Sequence, residues 1–263
     1  MKGYVDTPEG QIHYRAAGSG EPVVLLHQSP SSAAMWEPLL GPLADAGFRA
    51  VAFDLPGFGM SDPPTSPPTL EDYARRIVDA ASRMGIDHFD AIGHHTGCCV
   101  ALAIDAGYPG SVRRIVGYGV SLLSAQFAAE LAAEQPPDYD AAGELLLAKW
   151  RHYWSKAPAG REPELAARTI SEMLATGRNL PHAHNAVGRA DNQALIRRVS
   201  VPMLALAGRR ELFRAETEAA AELSPNIHFV EFGDATTFAA DERPAELTAL
   251  IAQFLRAPEG SLW

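Results

Sequence analysis

The sequence predicts an α/β fold, a largely parallel sheet covered by helices on both faces. Three observations carry that expectation. Apolar, β-rich runs alternate with longer helical patterns along most of the chain. Glycine- and proline-rich turns punctuate the joints between them. The 263 residues, 47% hydrophobic and 21% charged, suffice for one large core domain carrying an insertion.

Strands are predicted near Gln11–Ala16, Pro22–His27, Arg49–Phe53, Phe89–Ile92, Arg113–Val120, Pro202–Ala207 and Ile227–Phe232. Helical patterns lie near Ala34–Ala46, Leu70–Arg83, Cys98–Ala106, Ala215–Glu222 and Pro244–Leu255. From Ser121 to Ser200 the alternation stops. That stretch favours helix, and Gln135-Pro136-Pro137 forms a joint within it. It reads as a helical cap (121–200) inserted into a core domain made of 1–120 and 201–263. Its aromatics Phe127, Tyr139, Trp150, Tyr153 and Trp154 are expected to pack the cap onto the core. Trp150, Trp154 and His184 are expected to line a pocket, because ligands bind at the carboxyl edge of such sheets.

Composition excludes several partners. A net charge of −10 offers no basic footprint for nucleic acid or an anionic membrane surface. No apolar run is long enough to span a bilayer, and the opening MKGYVDTPEG lacks the apolar stretch of a signal peptide. Cys98 and Cys99 are adjacent and fit neither a disulfide framework nor a metal spacing. A cytoplasmic setting, a small-molecule substrate and no cofactor are expected. Whether the chain forms a homodimer stays open.

Three segments carry chemistry. VVLLHQSP (Val23–Pro30) is a strand running into a polar loop. AVAFDLPGFGMSD (Ala50–Asp62) is a strand followed by a turn whose glycines and proline give it a structural role. FDAIGHHTGCCVAL (Phe89–Leu102) is a strand, a sharp turn and a helix, and its turn reads Gly93-His94-His95-Thr96-Gly97. Glycines flanking a central residue at that junction permit close approach and a strained turn. The central side chain then stands at a helix N-terminus, beside a free backbone N–H.

In order and spacing, these segments resemble the α/β-hydrolase superfamily. The resemblance covers Val23–Val120 and Pro202–Leu255 and implies an eight-stranded, mostly parallel sheet. It places His95 where the nucleophile normally sits, and gives the oxyanion hole backbone donors from Gln28 or Ser29 together with Thr96. It places Glu211, in LALAGRRELF, at the acid position. Counting back from Asp241-Glu242-Arg243-Pro244 places Thr237 where the family carries its histidine, and no histidine follows His228. His27 and His94 stand where the superfamily often keeps histidines for loop hydrogen bonds, and His228 reads as a strand residue.

The usual serine, acid and histidine are therefore His95, Glu211 and Thr237. A large ring replaces a small hydroxyl at the turn, and a small hydroxyl replaces the ring opposite. The His95 ring is expected to fill the vacated space and hydrogen-bond Glu211. Such a dyad suits general acid–base catalysis. The expected activity is hydrolysis of a small, mainly apolar carbonyl compound through an activated water. A lyase, isomerase or decarboxylase using the same dyad, and a ligand-binding protein without turnover, remain alternatives. A metal held by His94, His95 and a cap histidine has no compact ligand spacing behind it, so none is expected.

Overall fold

The structure is a computed structural model that describes residues 1–258. Its strands are β1 (Lys2–Thr7), β2 (Gly10–Ala17), β3 (Glu21–Leu26), β4 (Phe48–Phe53), β5 (Phe89–His94), β6 (Val112–Tyr118), β7 (Met203–Ala207) and β8 (Ile227–Glu231). They form one eight-stranded sheet in the order β1-β2-β4-β3-β5-β6-β7-β8. The β1–β2 and β2–β4 pairs are antiparallel, and every other pair is parallel.

Around the sheet lie α1 (Glu37–Asp45), α2 (Leu70–Arg83), α3 (Thr96–Gly107), α9 (Arg214–Ala221), α10 (Ala239–Glu242) and α11 (Pro244–Leu255). Between β6 and β7 the chain is helical: α4 (Ala125–Ala132), α5 (Glu144–Lys156), α6 (Glu162–Thr176), α7 (Leu180–Arg189) and α8 (Asn192–Arg197). No described helix is long and apolar enough to cross a membrane.

The strand alternation explains the two faces. In β3, Val24 and Leu26 enter one apolar cluster with Tyr73 and Ile77 of α2 and Val100 and Ile104 of α3. Their neighbours Val23 and Leu25 enter another with Leu39 and Leu43 of α1 and Ile251 of α11. Burial on both faces is why this strand reads as an unbroken apolar run. Each such side chain contributes about 1.5–3 kcal/mol when fully buried. Helix α2 starts where its sequence says it should: the Thr69 hydroxyl accepts the Asp72 N–H, and the Asp72 carboxylate accepts the Thr69 N–H.

One strand escaped the sequence reading. β1 pairs with β2 through the Thr7–Gly10 turn, but only Val5 of its six residues is buried. An edge strand with one buried side chain carries almost no hydrophobic period to detect.

Candidate functional site

β5 ends at His94 and α3 begins at Thr96, so the chain must reverse within His95. That residue has φ 45° and ψ −108°, and it is the sole non-glycine with positive φ among the described residues. Holding it there costs on the order of 1–3 kcal/mol. The flanking glycines allow it. A Cβ on Gly93 would lie 2.5 Å from the Cys98 backbone, and one on Gly97 would lie 2.1 Å from the Leu26 carbonyl oxygen.

The His95 ring crosses to the turn before α9. Its Nε2 lies 2.6 Å from Glu211 Oε1, bridging 116 residues of chain. The Glu211 side chain has no solvent exposure, and its Oε1 also accepts the Phe213 N–H at 3.3 Å. Burial pushes this carboxyl up, but the adjacent His95 charge and hydrogen bond, with smaller help from His94 and the Phe213 N–H, hold it at about 2. Glu211 is therefore a carboxylate at neutral pH, and it accepts the proton carried by His95 Nε2. The second ring nitrogen, Nδ1, is neither buried nor bonded to any described protein group.

A third glycine makes this geometry possible. Gly119, just past β6, has φ 66°, and a Cβ there would lie 2.3 Å from His95 Cδ2. Gly119→Ala is expected to push the ring off Glu211 and destabilise the fold by about 1–3 kcal/mol. Proton NMR of the exchange-protected Nε2–H would check this, and a retained resonance would refute it.

His95 opens onto a cavity of about 240 Å³ beneath the helices between β6 and β7. Phe127, Leu131, Val187, Leu212, Phe213 and Phe238 form its apolar wall. Gln28, Ser29, Thr96, Thr237 and His184 also line it, as expected from the sequence. The Gln28 and Thr96 N–H groups donate to no described protein acceptor. His27 sits behind the cavity and sets that loop: Nδ1–H donates to the Gln28 carbonyl at 2.7 Å, and Nε2 accepts the Leu55 N–H at 2.9 Å. Glu172 of α6 clamps the same loop by accepting from the Ser31 and Ser32 hydroxyls at 3.0 and 2.6 Å.

One expectation needs correction. Trp150 and Trp154 do not line the cavity; their rings lie against each other, 5.6 Å between centroids, and Trp154 is 40% exposed. Helix α5 instead turns Lys149, His152, Tyr153 and Lys156 inward. His94 is also off this cavity, buried with its ring edge against Trp36, Tyr118 and His95. Burial and the neighbouring His95 hold the His94 imidazole well below its ordinary value, so it stays neutral. Thr237 makes no hydrogen bond to the dyad; its hydroxyl lies 3.3 Å from His94 Nε2 and 3.4 Å from the Gln28 side-chain oxygen.

His94, His95 and Glu211 each bring one possible metal-ligand atom within 4.8 Å of the others. The His95–Glu211 hydrogen bond and the His94–Thr237 contact engage all three side chains. The inward lysines and Gly119 were missed. A signal for the lysines existed, since positions 149, 152, 153 and 156 share one helical face.

A family model described as the alpha/beta hydrolase fold matches residues 21–243. The chain belongs to this family. Among curated members, the haloalkane dehalogenase of Mycolicibacterium paratuberculosis is 30% identical over 187 residues, 67% of this chain and 56% of that protein. Bifunctional epoxide hydrolase 2 of Mus musculus is 34% identical over 119 residues, 43% of this chain and 21% of that protein. The matched stretch thus spans about a fifth to just over half of those α/β-hydrolase relatives. Among solved structures, the enol-lactonase from Burkholderia xenovorans LB400 superposes with a TM-score of 0.76 at 21% identity, covering 97% of this chain and all of that one (100%). An esterase from Thermogutta terrifontis gives 0.78 at 23% identity, over 97% and 98%. These likenesses establish the fold.

Proposed function

We propose that this α/β-hydrolase-fold protein hydrolyses a small, mainly apolar carbonyl compound by acid–base catalysis at His95, without a cofactor. One observation carries the reading: the His95–Glu211 hydrogen bond of 2.6 Å engages Nε2 of a ring that lines the cavity, which leaves Nδ1 unbonded. The carboxylate holds the proton on Nε2, so Nδ1 has its lone pair free for a water molecule. Water gives one of its own protons to Nδ1, and its oxygen adds to the carbonyl carbon. The Gln28 and Thr96 N–H groups receive the oxygen that becomes negative, a stabilisation worth about 10²–10³-fold per donor in comparable sites. The imidazolium, steadied by Glu211, then returns the proton to the leaving group.

Direct attack by His95 is the weaker route. The acyl-imidazole it would form meets Thr237, a hydroxyl, where a second base would be needed. The names of the relatives, among them an enol-lactonase and an esterase, support water as the second reactant. The two buried free thiols, Cys98 and Cys99, suit a reducing, cytoplasmic setting.

His95→Ala is expected to lower turnover of p-nitrophenyl butyrate by at least about 10²-fold. A fluorophosphonate is expected to leave the wild type unlabelled. Wild-type turnover that survives His95→Ala, or a stoichiometric adduct at Ser29 or Ser121, would overturn the assignment. No turnover of any ester or lactone by the wild type would favour binding without catalysis.

A further inference from the structure

The cavity lining carries cations and no carboxylate. Helix α5 contributes Lys149, His152 and Lys156, the turn before Glu211 contributes Arg210, and no Asp or Glu lines the space. This occurs in a chain of net charge −10, where an acidic lining would be the unremarked outcome. The helix had an apolar alternative, because Trp150 and Trp154 are one position away, yet they stay outside.

Lys149, Lys156 and Arg210 form no ion pair with any described residue. The acid close to this lining, Glu134, is hydrogen-bonded by His184 and also feels the Lys149 charge. Burial, then the charges of Lys156 and Lys149 one turn to either side on α5, hold the His152 imidazole below its ordinary value. Lys156 and Arg210 are exposed and Lys149 is half-buried. Like charges gathered on the lining of a cavity open to solvent repel each other, and an entering anion relieves that repulsion.

We propose that the substrate carries a carboxylate, held by Lys149, Lys156 and Arg210, at the end of a short apolar spacer. The apolar wall of Phe127, Leu131 and Val187 contacts the spacer, and the carbonyl to be cleaved lies at His95. The position of that carbonyl rests on the hydrolase reading above; the anion site does not. A carboxylate fits better than a phosphate, because phosphate sites characteristically use clustered backbone N–H groups at helix N-termini or bidentate arginines. Here the donors are side chains, Lys149 and Lys156 on α5 and the single Arg210 before Glu211.

The test is calorimetric titration of the full chain with hexanoate, hexan-1-ol and inorganic phosphate. Hexanoate is expected to bind at least about tenfold more tightly than hexan-1-ol, and to weaken as salt screens the lysines. The Lys149→Gln/Lys156→Gln double variant is expected to lose about tenfold in hexanoate affinity, as two partly exposed charge pairs would give. Arg210→Gln supplies a second reading if that double variant does not fold. Equal binding of the acid and the alcohol, no binding of hexanoate, or affinity unchanged in the folded variants would overturn the proposal. Phosphate binding as tightly as hexanoate would overturn the carboxylate assignment. Hexanoate is also expected to bind His95→Ala. Intact hexanoate binding with no ester turnover in the wild type would sink the hydrolase reading alone, and turnover without hexanoate selectivity would sink the anion site alone.

Discussion

Glu211→Gln is expected to lower turnover by about 10²–10⁴-fold while leaving the protein folded at neutral pH. Two effects combine. A neutral amide does not stabilise the imidazolium that forms when Nδ1 takes a proton from water. The amide also brings an N–H₂ group that can donate to His95 Nε2, which moves the ring proton to Nδ1 and removes the base. Nitrogen-15 NMR of the ring distinguishes the tautomers, and steady-state kinetics on an activated ester measures the loss. The substitution also changes acid stability. Glu211 titrates at about 2 in the folded protein against an ordinary 4.5, so its contribution is complete above 4.5 and disappears as pH falls towards 2. Denaturation between those values is therefore expected to be steeper in pH for the wild type than for the variant. An unchanged kcat with an unchanged tautomer would remove Glu211 from the mechanism.

Asp54→Ala is expected to cost about 3–5 kcal/mol of stability. The Asp54 carboxylate is 1% exposed and accepts the Ala33 N–H at 2.6 Å and the Met60 N–H at 2.8 Å. It also meets His13 Nδ1 at 2.8 Å. Alanine would leave the Ala33 N–H and the His13 ring buried and unmatched, desolvated groups with no water to replace the oxygen, and would take the acceptor from the part-buried Met60 N–H. A urea titration should show a lower midpoint with an unchanged slope. A loss below about 1 kcal/mol would show that these partners find other acceptors. The result bears on the site because Ala33 follows directly on the loop that carries Gln28 and Ser29.

The core was legible because its signals are local. The strand–turn–helix around Gly93–Gly97 is written in contiguous residues, and so is the apolar run of β3. Family spacing carried Glu211 and Thr237 to their loops. β1 was not legible because its single buried residue leaves no pattern.

Sequence alone therefore determined which residues reach the carboxyl edge of the sheet: His95 at the turn, Glu211 after β7, and Gln28 after β3. Their alternation and turn chemistry depend on neighbours in the chain. The tertiary structure decided where those side chains point. His95 reaches Glu211 because Gly119, on a third strand's exit, leaves the ring its space. Trp150 and Trp154 miss the cavity because the packing of α5 decided which of two adjacent faces meets it, and both faces carry large side chains. Helical period defines the faces of a helix, but the long-range contacts that orient it are made by residues far away in sequence, and no local pattern records them.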